Sequence, residues 1–89
     1  MEIVVGQLVF SKAGRDKDRC FIVVRTEGEF AYLIDGDLRK TDTPKKKKMK
    51  HIRPTNCISQ FVVDKLNKVG KVTNSEIRKE IEEFKEHLM

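Results

Sequence analysis

The sequence predicts a small, mainly β protein in which a strongly bent barrel of four or five strands precedes two α-helices. The first half contains short apolar segments rich in β-branched and aromatic residues, separated by glycine-containing turns. After residue 55, apolar residues recur at helical instead of alternating spacing. A chain of 89 residues has room for one modest core, and a few short strands protect their edges best when the sheet closes on itself.

The first half contains four segments with strand character. They are Val4 to Ser11, Cys20 to Arg25, Phe30 to Ile34 and Leu38 to Lys40. The second segment is apolar on both faces, which predicts a central position in the sheet. Asp35-Gly36 predicts a two-residue hairpin, because both residues tolerate positive φ. Met49 to Arg53 alternates again, and we expect it to close the sheet.

Two helices are predicted in the second half, with Pro54 near the boundary. The first carries Ile58, Phe61, Val62, Leu66 and Val69 at helical spacing, and Gly70 follows as its stop. Thr73-Asn74-Ser75-Glu76 fits a capping box that starts the second helix. That helix carries an apolar stripe of Ile77, Ile81, Phe84 and Leu88. We therefore divide the chain into a barrel, residues 1–55, and a helical segment, residues 56–89, that packs on the barrel or extends from it.

The composition argues against several classes of protein. No apolar run approaches the roughly 20 residues of a membrane span. Residues 1–6 lack a basic region and a cleavage site, so we expect no signal peptide. Cys20 and Cys57 are far apart, which predicts reduced, buried thiols and a cytoplasmic location. The few aromatic residues have core-like spacing and form no obvious platform for stacking bases.

No arrangement of residues points to catalysis. The chain lacks Ser-His-Asp, Cys-His, P-loop and His-Glu-x-x-His patterns. The acids of the last helix lie among Arg78, Lys79 and Lys85, as is typical of a solvated face. His51 and His87 have no metal-ligand spacing with the cysteines. We therefore predict a protein that is not an enzyme and that uses no cofactor and no metal.

Positive charge is concentrated in one internal block. Eight Lys or Arg residues and one acid, Asp42, lie between Arg39 and Arg53, whereas the whole chain has a net charge of +5. A dense local charge attracts polyphosphates and gives salt-sensitive, sequence-tolerant affinity through counterion release. A lysine run is also often only a solvated loop. Here it lies between strand-like and helix-like sequence, so we expect a loop held in a fixed place.

The segment from Val5 to Val24 resembles a KOW motif. It has a Gly at the start of a strand, alternating apolar residues, a loop with Gly and basic residues, and then a valine-rich strand. The resemblance continues through Asp35-Gly36 and through the basic run that ends in His51-Ile52-Arg53-Pro54-Thr55. In those parts the chain is similar to the "fourteen-e" large-subunit ribosomal proteins of archaea and eukaryotes, and to small bacterial KOW proteins that bind RNA. The resemblance covers about residues 3–55.

The resemblance implies an SH3-like barrel that binds RNA, usually ribosomal RNA, as a ribosomal protein or an assembly component. The chain departs from the motif at Asp18, where the KOW pattern has its defining Gly. If that position has positive φ, Asp is among the least costly substitutes. If the Gly instead lets the backbone approach a phosphate, the carboxylate of Asp18 repels the RNA there.

Two basic segments are the candidate RNA-binding sites. In the 12–19 loop, Arg15 offers a guanidinium fork that matches two phosphate oxygens. The lysines of the basic block favour affinity over sequence readout. The predicted RNA-binding residues are Lys12, Arg15, Lys17, Arg39, Lys40, Lys45, Lys46, Lys47, Lys48, Lys50, His51 and Arg53.

Two other kinds of partner stay open at this point. A protein-interaction adaptor would use the last helix to bind ribosomal proteins or a partner helix, provided that its apolar stripe is exposed. An anionic membrane surface also attracts consecutive lysines, but only Met49 and Ile52 offer apolar anchors in the block. We therefore predict an RNA partner and no membrane partner.

Overall fold

The computed structural model describes residues 2–88, and these contain five β-strands, one 3₁₀ turn and two α-helices. In chain order the elements are β1 (Gln7–Ser11), β2 (Cys20–Glu27), β3 (Phe30–Ile34), β4 (Lys45–Lys48), the 3₁₀ turn Met49–His51, β5 (Ile52–Ile58), α1 (Gln60–Lys68) and α2 (Asn74–His87). All strands pair antiparallel, in the order β4-β3-β2-β1-β5. The prediction of a small, mainly β fold followed by two helices is confirmed.

One face of the sheet buries a cluster that contains no helix residue. Its members are Ile3, Val9, Phe21, Val23, Ala31, Leu33 and Ile52, with Met49 packed against them. Val9, Phe21 and Leu33 have no exposed surface. Because no helix covers these side chains, the sheet itself must curve around them, as in a small barrel.

The two helices cover the other face of the sheet. There, Leu8, Cys20, Ile22 and Ile34 from the strands form one cluster with Val62 of α1 and with Ile77, Ile81 and Phe84 of α2. The rings of Phe10 and Phe84 also meet, with centroids 6.1 Å apart. Three members of the predicted apolar stripe are therefore core residues, whereas Leu88 is exposed.

β2 is the middle strand, and residues 20–23 are buried, as the sequence predicts. The structure differs from the predictions around Asp35, where no hairpin forms and where Leu38 to Lys40 is not a strand. The Asp35 carboxylate accepts the backbone N–H groups of Asp37 and Arg39, at 3.0 and 2.8 Å. These bonds occupy backbone amides that a strand would use for sheet pairing, because an Asp side chain competes for nearby N–H groups. Residues 35–44 therefore form a loop between β3 and β4.

The edge strand after that loop is the lysine run itself. The sequence predicted a loop there, but residues 45–48 pair with β3 along the whole length of β4. The 3₁₀ turn connects β4 to β5, and β5 pairs with β1 at the other edge of the sheet. Pro54 lies inside β5, and the strand continues to Ile58.

Side chains cap both helices at their first turn. Ser59 accepts the N–H of Val62, and the predicted capping box of Thr73 and Glu76 is present. Gly70 follows α1 with a φ of 86°, as predicted for a stop. Cys20 is buried, but the prediction was wrong for Cys57, because the last three residues of β5 are exposed. Between residues 2 and 88, neither helix is long and apolar enough to cross a membrane.

Candidate nucleic-acid interface

Strand geometry divides the four lysines of β4 into two pairs. Lys45 lies opposite Leu33, and Lys47 lies opposite Ala31. Since successive side chains of a strand point to opposite faces, these two lysines share the barrel-interior face, and Lys46 and Lys48 share the other. The run is therefore not one uniform patch.

Asp16 binds both inward-facing lysines. One carboxylate oxygen lies 2.9 Å from Nζ of Lys47 and 2.8 Å from the hydroxyl of Ser11, and the other lies 2.8 Å from Nζ of Lys45. Lys47 also donates to the carbonyl of Ala13 at 2.9 Å, and its side chain is only 9% exposed. These contacts attach the tip of the 12–19 loop to β4, and they neutralise charge that the sequence assigned to RNA binding.

The same contacts change the titration of Asp16. Burial acts to raise the pKa of this carboxyl, but the hydrogen bonds from Lys45, Lys47 and Ser11 outweigh it and hold the pKa well below its usual range. Asp16 is therefore ionised at all pH values near neutrality, and it is a permanent counterion of the two lysines.

The outward-facing lysines have no acidic partner among the described residues. Nζ of Lys46 lies 4.4 Å from the ring centroid of Phe30, in a cation–π contact. Lys48 is exposed and lines a depression of about 310 Å³ together with Lys50 and Glu29. Both lysines thus present charge at the edge of the sheet.

A larger cleft, of about 590 Å³, lies between the 12–19 loop, the 35–44 loop and α2. Its charged lining consists of Arg15, Lys17, Arg19, Arg39, Lys45 and Lys85, with the acids Asp16 and Asp18. Six basic side chains against two acidic ones give this cleft a positive potential. Two parts of the predicted site, the 12–19 loop and Arg39, therefore meet here.

Asp18 at the edge of this cleft has a φ of 69°, and it is the one non-glycine residue with positive φ in the described part of the chain. Its backbone N–H donates to the carbonyl of Ser11 at 2.8 Å, which closes the loop. The position therefore requires a left-handed backbone, which Asp tolerates better than most residues. Of the two alternatives for residue 18, a positive φ is the one present in the structure.

Helix α2 holds the 35–44 loop in place. Arg78 donates to the carbonyl of Gly36, and the N–H of Thr41 donates to Oδ1 of Asn74 at 2.8 Å. A Cβ at residue 36 would lie 2.4 Å from the carbonyl oxygen of Asn74, and φ there is 76°, so this close approach requires glycine. The loop that carries Arg39 is therefore anchored to the helix on both sides of Arg39.

The remaining predicted residues lie elsewhere on the surface. Lys12 and His51 are neighbours, because the N–H of Lys12 donates to the carbonyl of His51 at 2.8 Å, and both side chains are exposed. Lys40 is exposed in the 35–44 loop. Arg53 lies on β5, at the opposite end of the strand order from β4, and its guanidinium is 5.0 Å from the ring centroid of Phe10 on β1. The predicted residues therefore form several groups.

Two basic residues of the cleft were absent from the predicted site. Arg19 forms an ion pair with the buried carboxylate of Asp35 and contacts Asp37 at 3.3 Å, so it is a partner of the neighbouring loop. Lys85 comes from α2, far along the chain. No pattern in the sequence indicates Lys85, because only the packing of α2 on the sheet brings it to the loops.

Comparison with known proteins gives one functional lead. No family model matches the chain. Over 75 residues the chain is 29% identical to a protein of Bacillus subtilis (strain 168) named "Putative ribosome-binding protein YbzG", and the match covers 80% of this chain and 97% of that protein. Since the sheet ends at residue 58, a match of this extent must include part of the helical segment.

Proposed function

We propose that this protein is a non-catalytic RNA-binding module of the KOW type that associates with the ribosome by contacting structured ribosomal RNA. The name of the Bacillus subtilis relative supports the ribosome as the partner. The resemblance of residues 3–55 to KOW proteins supports RNA as the ligand. The contacts would be mainly to backbone phosphates, because lysine and arginine on loops read shape and charge more than base sequence.

The observation that carries the proposal is the distribution of paired and unpaired charge. Two acids of the basic segments, Asp16 and Asp35, are occupied by internal partners, whereas Asp18 and Asp42 are exposed and form no ion pair with a described residue. Arg15, Lys17 and Arg39 form no ion pair with any residue between 2 and 88, and all three are exposed. The fold thus uses part of the negative charge of the two anchored loops internally, and their unpaired basic side chains outnumber their unpaired acids.

The apolar stripe of α2 is mostly buried, so it cannot be the docking surface of a protein-interaction adaptor. Ile77, Ile81 and Phe84 pack against the sheet and are not available to a partner helix. We therefore keep RNA as the proposed ligand and do not propose a helix-docking adaptor.

Sedimentation tests the proposal. The tagged protein from its own cells is run through sucrose gradients at low and at high salt. We expect comigration with the large subunit at low salt and release at high salt, because phosphate contacts weaken as counterion release becomes less favourable. Four to six contacts to single-stranded RNA give a log–log salt slope of roughly −3 to −4 for the purified protein. A protein that stays at the top of both gradients contradicts the proposal.

Charge-matched variants show whether the proposed surface is responsible. The variant R15Q/K17Q/K48Q removes three unpaired basic side chains from the loop and the β4 edge, and K68Q/K71Q/K79Q removes three exposed ones from the helical half. We expect the first variant to lose subunit comigration and to flatten the salt slope by about two units. The second should behave like the wild type. Equal losses in both variants would indicate a response to total charge alone.

A further inference from the structure

We propose that the cleft between the 12–19 loop, the 35–44 loop and α2 receives one unpaired nucleotide of an RNA, with Leu38 against the base and Arg15, Arg39 and Lys85 on the adjoining phosphates. This inference rests on the proposed function and names the kind of RNA feature that the site takes. It adds an apolar residue and a helix residue to a surface that the sequence described by its charge alone.

Leu38 is an apolar side chain on a strongly charged surface. Its side chain is 68% exposed, which is the largest exposed fraction of any large apolar residue between 2 and 88. It also lines the basic cleft. Exposed leucines are common on protein surfaces, and a single one needs no explanation by itself. Here the surroundings are ordered, which makes the exposure informative.

The loop is hydrogen-bonded on both sides of Leu38. Before it, Asp35 accepts the N–H of Asp37; after it, the same carboxylate accepts the N–H of Arg39. The backbone N–H groups of Asp35 and Gly36 also donate to the carbonyl of Arg39, at 2.9 and 3.1 Å. The backbone around Leu38 is therefore held in place, so a ligand that covers Leu38 does not have to order the loop.

The charges around Leu38 fit a nucleotide. Arg15, Arg39 and Lys85 form no ion pair with the described residues, so their hydrogen-bond donors are free for phosphate oxygens. A volume of about 590 Å³ lies within the range of small-molecule sites and is far too small for a duplex. A paired base is stacked inside the helix, so only an unstacked base can present its apolar face to Leu38.

The test uses two fluorescein-labelled RNA hairpins with the same stem, one of which carries a single unpaired uridine in that stem. Fluorescence anisotropy gives both affinities for the folded, full-length protein. We expect the wild type to prefer the bulged hairpin by about tenfold, the gain from covering much of one leucine side chain. The variant L38A should reduce this preference to about twofold or less. The matched control is L88A, because Leu88 is also exposed, at 61%, and does not line the cleft.

Charge variants test the phosphate part separately. R39Q and K85Q should each weaken binding to both hairpins and lower the salt slope by about one unit, whereas K79Q should not. Equal affinity of the wild type for the two hairpins, with binding intact, would overturn the nucleotide site and leave the proposed RNA-binding function standing. An unchanged preference in L38A would overturn the role of Leu38 in the same way. No binding to either hairpin or to ribosomal RNA would overturn both proposals.

Discussion

Asp16 is the residue at which the structure departs most from a reading of charge alone. In the sequence it is one acid in a basic loop, and the lysines 29 and 31 positions later look like ligands for phosphate. In the fold its carboxylate joins Lys45, Lys47 and Ser11. A buried lysine needs such a partner, because an uncompensated charge away from water is costly.

The first prediction concerns this carboxylate. The variant D16N leaves Lys47 buried without its counterion, so the free energy of unfolding at pH 7 should fall by about 2 kcal/mol. The pKa of Asp16 is lower in the folded than in the unfolded chain, so its contribution is complete above the unfolded value of about 3.9 and is lost as the pH falls towards the folded value.

Urea unfolding at pH 7 and at pH 3 measures this effect. The stability difference between wild type and D16N should shrink at pH 3. The control D42N changes an exposed acid that forms no ion pair within residues 2–88 and should have little effect at either pH. A difference that is constant with pH would mean that the ion pairs contribute nothing.

The second prediction separates the two properties of Asp18. Asn tolerates a φ of 69° and carries no charge, whereas Ala is strained there by about 1–2 kcal/mol. Both D18N and D18A should raise RNA affinity at low salt, because each removes a carboxylate from the basic cleft. Only D18A should lower the melting temperature. Equal stability of the two variants would be inconsistent with a strained backbone at residue 18.

At the scale of an element, β4 shows how secondary structure changes the meaning of a charge run. A loop would present all four lysines to solvent, but a strand turns alternate ones inward. The sequence signal for a strand is alternation of apolar and polar residues, and four identical lysines do not show it. Pro44 marks only where the segment begins. The helices were easier to predict, because the capping box at Thr73 and the apolar spacing are local signals. The prediction was wrong for Ile58, which was assigned to the first helix and ends β5, and it did not include the Ser59 cap of α1.

The third prediction compares the two faces of β4 at equal charge. K46Q/K48Q should lower the RNA salt slope by about one to two units and change stability by at most about 1 kcal/mol, the range of one exposed cation–π contact. K45Q/K47Q should instead lower the melting temperature, because Asp16 loses both partners. Salt titrations and thermal unfolding of the two variants provide the measurements. Identical behaviour of the pairs would refute the division of the strand into two faces.

At the scale of the whole molecule, the helices and the sheet share one core. Leu8, Ile22 and Ile34 are buried by α1 and α2, and α2 also anchors the 35–44 loop. The helical segment therefore completes the sheet and shapes the candidate site.

The fourth prediction follows from this shared core. A chain that ends at Ser59 exposes the apolar face of the sheet, so it should give a poorly dispersed ¹H–¹⁵N spectrum. In the full chain, I77A should cost about 2–5 kcal/mol, with the sheet and the helices unfolding in one transition. V69A, at an exposed position, is the control. A well-dispersed spectrum of the short chain would show that the sheet folds alone.

The sequence by itself determined the fold class, the central strand, the capping box of α2 and the concentration of positive charge. These properties depend on periodicity, propensity and side-chain bonds between residues a few positions apart. Tertiary structure alone decided which lysines face inward, where Leu38 lies, and that Lys85 joins the cleft. Those outcomes depend on strand register and on packing between residues 30 or more positions apart, such as Lys47 with Asp16, and no local pattern encodes them.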